Sequence, residues 1–367
     1  MAPIIMEFER RGYEYRLIDT GQHAELIADI AGDFEIRSPD IKLNRTDSEG
    51  GFSTFLGAAA WITRLLWRYI LRPKRVRAEL FQNRPGICLV HGDTASTLVT
   101  TVLAKLGRQQ VAHVEAGLRS WRVFDPFPEE LIRIIVMRMS DFLFAPSIDS
   151  FKNLKKMRLR GKSYLLSDNT IKDTIRIHLN ISPRYSFEIP EKYAVATIHR
   201  METIFSRASL ESVVDYIIEA NKIAPVLFVL HPPTVKRLES YDFESVLISA
   251  GVKTLPLLSH VAFLHLVRNS QFVMTDGGSV QEETFYLGVP CLLLRSTTER
   301  LEGVGKNVCL SELNRDRVLA FLSDYQAYKQ EELVSDASPS AELISKLAEI
   351  SEHVILEKNV AQSAKST

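Results

Sequence analysis

Short runs of consecutive apolar residues alternate along this chain with longer segments of helical periodicity, and that alternation limits the fold more than any other feature. The runs Tyr15 to Ile18, Ile87 to Val90, Val111 to Val114 and Phe142 to Phe144 form a first set of expected strands. Tyr193 to Ile198, Val226 to Leu230, Phe272 to Thr275 and Cys291 to Leu294 form a second. Apolar residues on consecutive positions suit parallel strands covered on both faces. Between two of them, Leu98, Val99, Val102, Leu103 and Leu106 make one helical face that ends at Gly107. Strand, helix, strand in repetition predicts α/β layers with right-handed crossovers, that is, doubly wound Rossmann-like domains.

The chain has 367 residues, enough for two such domains at ~150 residues each. A basic stretch from Lys152 to Arg160 leads into Ser167-Asp168-Asn169-Thr170 before the second set of strands. The junction is therefore expected near there, giving domains 1–167 and 168–367, and it stays open whether the C-terminal helix packs back on the first domain. Pro3 to Arg11 reads as a helix closed by Gly12. A doubly wound domain opens with a strand and a phosphate-binding loop, so the first strand is expected to be missing.

Lys plus Arg and Asp plus Glu each total 45, so no global field attracts nucleic acid or an anionic membrane. A polyanionic ligand must be gripped locally. The least charged stretch, Gly50 to Thr63, is shorter than the ~20 residues a spanning helix needs, and Trp61 to Leu71 reads as an amphipathic helix. Charges at Glu7, Glu9, Arg10 and Arg11 argue against a signal peptide. The three cysteines, Cys88, Cys291 and Cys309, are widely spaced in apolar runs, which points away from a disulfide framework and towards a reducing cytoplasm.

In open α/β sheets ligands bind beyond the carboxyl ends of the strands. Four such places carry chemistry: His91-Gly92-Asp93-Thr94, Glu115-Ala116-Gly117-Leu118-Arg119, His199-Arg200-Met201-Glu202 and Asp276-Gly277-Gly278-Ser279. The last is a small-residue turn leading into a helix. It suits a phosphate or diphosphate, and equally suits a tight turn with no ligand. Asp93, Glu115 and the pair Glu129-Glu130 come from one half of the chain and could share acid/base work, since neighbouring carboxylates push their proton affinities apart. Singly, Asp93 reads as a helix cap and Glu129 as a first-turn acid.

His91, His113, His199 and His231 fall at strand ends without close metal-ligand spacing, so no metal is expected. Arg119, Arg133, Arg200, Arg295 and Arg300 offer local positive charge for a diphosphate. Neither a Gly-x-Ser-x-Gly elbow nor a Walker loop is present, which removes hydrolase triads and P-loop phosphoryl transfer.

These residues make the chain resemble the UDP-N-acetylglucosamine 2-epimerase family. The matching strings are TGQH at Thr20 to His23, VHGDTASTL at Val90 to Leu98, VAHVEAGLRS at Val111 to Ser120 and PFPEELIR at Pro126 to Arg133. They continue with FAPS at Phe144 to Ser147, His199-Arg200 with Glu202, TDGGSVQEE at Thr275 to Glu283 and LGVPCLLLRSTTERLEG at Leu287 to Gly303. The resemblance implies two Rossmann-like domains in a glycosyltransferase-B arrangement with a cleft between them. It implies that Asp93, Glu115 and Glu129 are acid/base carboxylates and that His199 is a catalytic residue near the diphosphate. Arg119, Arg133 and Arg200 would bind substrate, Phe263 would line the uracil pocket, and Gly277, Gly278 and Ser279 would hold the diphosphate. Glu283 would take the ribose hydroxyls and Arg300 would complete the nucleotide site. Gln22, His23 and His231 resemble positions of a regulatory substrate site in some members.

The implied reaction interconverts UDP-GlcNAc and UDP-ManNAc through 2-acetamidoglucal, without nicotinamide or metal, for surface polysaccharide synthesis by a cytoplasmic homodimer. A hydrolysing relative that releases UDP and ManNAc, an epimerase for a modified UDP-sugar, and a non-catalytic nucleotide-sugar-binding protein remain alternatives. The chain departs from the family pattern in three ways. The opening strand and its Gly-Thr-Arg-Pro-Glu loop are absent; Asp-Ser-Gly-Gly has become Asp276-Gly277-Gly278-Ser279; Leu301 stands for a proline, and Ile132 for an asparagine.

Overall fold

A computed structural model describes residues 1–21, 34–43, 63, 67–69, 71–122 and 127–363, with side chains as far as residue 351. The chain divides into two compact units, 1–173 together with 337–367, and 174–336. Gln22, His23 and most of the amphipathic segment Trp61 to Leu71 lie outside the described residues. No described helix is long and apolar enough to cross a membrane.

The first unit carries a parallel sheet of β3 (Ile87–His91), β4 (Gln110–Val114), β5 (Phe142–Ala145) and β6 (Lys162–Leu165), in that order. A separate parallel pair joins β1 (Ile18–Asp19) to β2 (Ile41–Lys42). The run expected at Tyr15 to Ile18 is thus a strand only at its end; Tyr15 instead stacks under the Arg37 guanidinium, and Leu17 donates its N–H to Asp40. Strands β4 and β5 are almost wholly buried, as their apolar sequence requires. Helix Ala95–Leu106 starts at Thr94, whose hydroxyl accepts from the Thr97 N–H, and stops at Gly107.

Helix Ala2–Arg10 opens the chain, and Arg11 just beyond it donates to Ser345 Oγ and the Ala341 carbonyl of helix Pro339–Ser363. Ile4, Val114, Phe144, Leu343, Ile344 and Leu347 share one core cluster. The boundary expected at residue 167 is displaced to 173 because the intervening residues are tied into the first unit. Ser340 donates its N–H to the buried Asp173 carboxylate at 2.8 Å, and Ser167 donates to Glu342 at 2.8 Å.

The second unit holds a parallel sheet of six strands: β7 (Ala194–Thr197), β8 (Val226–Val229), β9 (Lys253–Leu255), β10 (Val273–Thr275), β11 (Cys291–Leu293) and β12 (Val308–Leu310). Their order is β12-β11-β10-β7-β8-β9. Chain progress runs outwards from the middle in both directions, which is the Rossmann winding, and the direction reverses between β7 and β10. A ligand crevice is therefore expected just past the carboxyl ends of those two strands, where His199 and Asp276 fall.

Candidate active site

In the first unit the site grows from the turns after β3 and β4. Gly92 turns the chain in a left-handed conformation, φ 70°, and donates its N–H to the Val114 carbonyl, which fixes Asp93 at the start of the following helix. His113, fully buried, holds the same turn through Nε2 and the Gly92 carbonyl at 2.8 Å. Burial pushes this imidazole down to about 4, so it stays neutral near pH 7.

Glu115 follows β4 at φ 63°, a conformation costly for a residue with a side chain and one that clusters at functional sites. Asn169 donates to its Oε1 at 2.6 Å, and His91 Nε2 lies 3.6 Å from Oε2. Gly117, at φ 94°, permits close packing there, because an added Cβ would sit 2.2 Å from the Ser150 carbonyl oxygen.

Arg133 pairs with Asp93 and also with Glu130 at 2.7 Å; Glu130 in turn binds Arg119. Glu130 is fully buried and Arg133 is 2% exposed. Two acids and two guanidiniums thus alternate in a chain that cancels its own charge, the condition under which ions tolerate burial. Arg119 further stacks on the Trp121 ring, 4.2 Å from its centroid. Of the five arginines read from sequence as positive charge for a diphosphate, Arg133 pairs with Asp93 and Glu130, and Arg119 with Glu130. Glu129, the partly buried first residue of helix Glu129–Met139, stands beside this chain at the amino end, where an anion is favoured.

In the second unit the site is built from backbone. Asp276, fully buried after β10, accepts the His199 N–H at 3.0 Å and the Arg200 N–H at 3.0 Å, stitching the end of β7 to that of β10. His199 Nδ1 lies 3.6 Å from the same carboxylate. Gly277 starts helix Gly278–Leu287 with no side chain to cap it, so the first-turn N–H groups point outwards at the positive end of the dipole. A Cβ on Gly277 would approach His199 Cε1 to 2.7 Å, and one on Gly278 would approach Arg300 Nε to 3.1 Å.

Around that turn, Ser279 is exposed and Arg300 pairs with the buried Glu282. Gln281 anchors the loop before Gly303 by donating to the Arg300 and Glu302 carbonyls. The Arg200 guanidinium binds Glu202. His231, read from sequence with Gln22 and His23 as a regulatory residue, has its ring 4.7 Å from that of His199, and burial next to that ring pushes it down to about 4. Phe263 is buried on helix His260–Arg268, and Glu283 accepts from His260 Nε2 at 2.8 Å.

A protein-family model described as UDP-N-acetylglucosamine 2-epimerase matches residues 6–340. The chain belongs to the UDP-N-acetylglucosamine 2-epimerase family. It is 31% identical over 338 residues to the UDP-N-acetylglucosamine 2-epimerase homolog of Methanococcus maripaludis, covering 89% of this chain and 88% of the relative. It is 30% identical over 333 residues to the UDP-N-acetylglucosamine 2-epimerase of Methanocaldococcus jannaschii, covering 87% and 86%. The crystal structure of the Methanocaldococcus jannaschii UDP-GlcNAc 2-epimerase in complex with UDP-GlcNAc and UDP superposes with a TM-score of 0.77 at 27% identity, covering 95% of both chains. The fold class is accordingly that of glycosyltransferase-B proteins, with Rossmann-like α/β units, in an isomerase family.

Family membership gives the geometry its context. The structure joins Asp93, Arg133, Glu130 and Arg119 in one network of the first unit, sets Glu115 against Asn169 and His91, and places His199, Gly277, Gly278, Arg300 and His231 around one turn of the second. Sequence reading missed the supporting roles of Asn169, Asp276 and His113. Asp276 had a signal, since it immediately precedes the glycines at the strand end. Asn169 had none, because 54 residues separate it from Glu115.

Proposed function

We propose that this chain interconverts UDP-N-acetylglucosamine and UDP-N-acetylmannosamine by removing UDP across C1–C2 and adding it back. The reading is carried by the family match over residues 6–340, which takes in the acids of the first unit and the glycine turn of the second.

The C2 proton is not α to a carbonyl and is a poor acid. A carboxylate takes it while its bonding electrons form the C1=C2 double bond and the C1–O pair leaves with UDP, giving 2-acetamidoglucal. UDP then re-adds at C1 as a proton is delivered to the other face of C2. Asp93, Glu115 and Glu129 supply the base and the acid. His199 and the N–H groups after Gly277 bear the growing negative charge of the departing diphosphate, with Arg200 and Arg300 nearby. Ser279 contributes its backbone and exposed hydroxyl, Phe263 packs on uracil and Glu283 accepts from the ribose hydroxyls. Arg119 and Arg133 are assigned to holding Glu130 and Asp93 in place, not to the diphosphate. We further read the enzyme as a cytoplasmic homodimer making precursor for surface polysaccharide, a reading that rests on the family resemblance and is checked by light scattering of the purified chain.

The test is incubation with UDP-N-acetylglucosamine in heavy water, followed at C2 by proton NMR. Deuterium at C2 in a UDP-linked product supports the proposal. Free N-acetylmannosamine with UDP means a hydrolysing relative instead, and UDP binding without exchange overturns catalysis altogether.

A further inference from the structure

Glu283 is 3% exposed, and its Oε1 accepts from His260 Nε2 at 2.8 Å. Its other oxygen, Oε2, is buried with no hydrogen-bond partner among the described residues. Such an atom costs free energy unless a donor arrives, which suits a ligand hydroxyl. Beyond the first contact, His260 Nδ1 lies 2.6 Å from His178 Nδ1, with ring centroids 4.8 Å apart. His178 is 1% exposed on helix Ile171–Leu179, and its carbonyl oxygen faces His265 Nε2 at 3.3 Å.

Hydrogen positions in this row follow from donor and acceptor counting. A carboxylate only accepts, so Nε2 of His260 carries the hydrogen. In a neutral ring Nδ1 is then the acceptor, and His178 must donate through Nδ1–H. Which nitrogen of a histidine is protonated is set by what its other nitrogen meets, so His178 selects the tautomer of His260 that suits Glu283. Without that donor, His260 is free to adopt the opposite tautomer and turn a lone pair on the carboxylate.

We propose that His260 is a positioning residue for Glu283, and that His178 fixes the tautomer in which it works, so the pair sets how firmly the ribose hydroxyls of the nucleotide are held. This rests on the reading of Glu283 as the ribose ligand. The three side chains lie 82 and 23 residues apart in sequence.

The test is calorimetric titration of the full chain with UDP and with 2′,3′-dideoxyuridine diphosphate, which lacks both hydroxyls. The wild-type protein prefers UDP by ~10-fold or more, the change that one lost charge-assisted hydrogen bond of about 1.4 kcal/mol produces. Glu283→Gln and His260→Phe lose most of that preference while binding the dideoxy compound within about twofold of wild type. His178→Phe loses roughly a threefold share, and His260→Gln, which keeps an N–H donor, recovers part of the preference. A defect of packing alone would weaken both ligands equally. If His260→Phe keeps the wild-type ratio while Glu283→Gln loses it, the positioning role falls and the ribose reading stands. If wild type shows no preference, Glu283 is not the ribose ligand and both fall together.

Discussion

The two units solve the problem of holding charge in opposite ways. The first uses side chains: Asp93, Arg133, Glu130 and Arg119 alternate in sign and brace one another inside the protein. The second uses backbone: Asp276 grips the N–H groups after β7, and the uncapped helix at Gly277 offers its own N–H groups outwards. The difference follows from the tasks proposed for them. Proton transfer needs carboxylates whose position and partners are fixed, whereas a leaving diphosphate needs donors already oriented when negative charge grows. The first arrangement is fragile to the loss of a single charge, and the second is fragile to the gain of a single methyl group.

The largest effect expected is on chemistry alone. Glu115→Gln should lower C2 exchange in heavy water by ~10²- to 10⁴-fold, the span usual for a general acid or base. UDP affinity, measured by calorimetry, should change little. An equal loss of both would mean that the acids are part of the anion grip and would dissolve the contrast between the units.

Next comes stability. Arg133→Met leaves Glu130 buried with half its neutralising charge gone and Asp93 without its guanidinium, and breaking such a pair costs about 3–5 kcal/mol. Urea denaturation should show a fall in unfolding free energy of that size. A shift below about 1 kcal/mol would mean that the network behaves like exposed ion pairs, which contribute little.

A third expectation concerns pH. His113 is held neutral in the folded protein at about 4, below the ordinary histidine value of 6.5 that applies in the unfolded chain. The unfolded chain therefore binds the proton first as pH falls. Stability from this residue is fully present above 6.5 and is lost as pH drops from 6.5 towards 4, at up to about 1.4 kcal/mol per unit. His113→Phe should flatten the fall of the urea midpoint over that window, whatever it costs at pH 8 through loss of the Gly92 contact. An unchanged slope would show that His113 does not titrate on unfolding.

How much of this was legible in sequence depended on where a strand sits in its sheet. The interior strands β4, β5, β7, β8, β10 and β11 announce themselves because both faces are buried. The missed strands β2, β6, β9 and β12 all lie at sheet edges, and of the edge strands β3 was read in full because its run Ile87 to Val90 is apolar throughout. Lys162-Ser163-Tyr164-Leu165 and Lys253-Thr254-Leu255 have exposed or half-exposed positions, so polar residues interrupt the apolar run that marks a parallel strand. The site divides likewise. Asp93, Glu115, His199 and Gly277 are readable because each follows a recognisable strand. The partners of Arg133 were not readable from its sequence neighbours, and only packing shows that it is buried against Glu130 and paired with Asp93. His178 and His260 meet across 82 residues, a juxtaposition that no local pattern encodes.

The smallest expected change in stability gives the sharpest test of the second unit. Gly277 sits at φ −87° and ψ 128°, a region any residue adopts, so alanine there brings no backbone strain. Its added methyl would crowd the His199 ring at 2.7 Å and make an ordinary contact with Thr275 Oγ1 at 3.4 Å, and the His199 side chain is 34% exposed and free to swing aside. Replacing glycine also restricts the unfolded chain, which favours folding by about 0.4–1 kcal/mol. The contact and the entropy oppose each other, so the unfolding free energy of Gly277→Ala from urea denaturation should lie within about 0.5 kcal/mol of wild type. UDP affinity should nevertheless fall, because the methyl group pushes His199 off the diphosphate and lies across the N–H groups of the first turn. A variant that keeps both stability and UDP affinity would mean that the turn is merely tight, and the anion grip would have to be sought elsewhere in the unit.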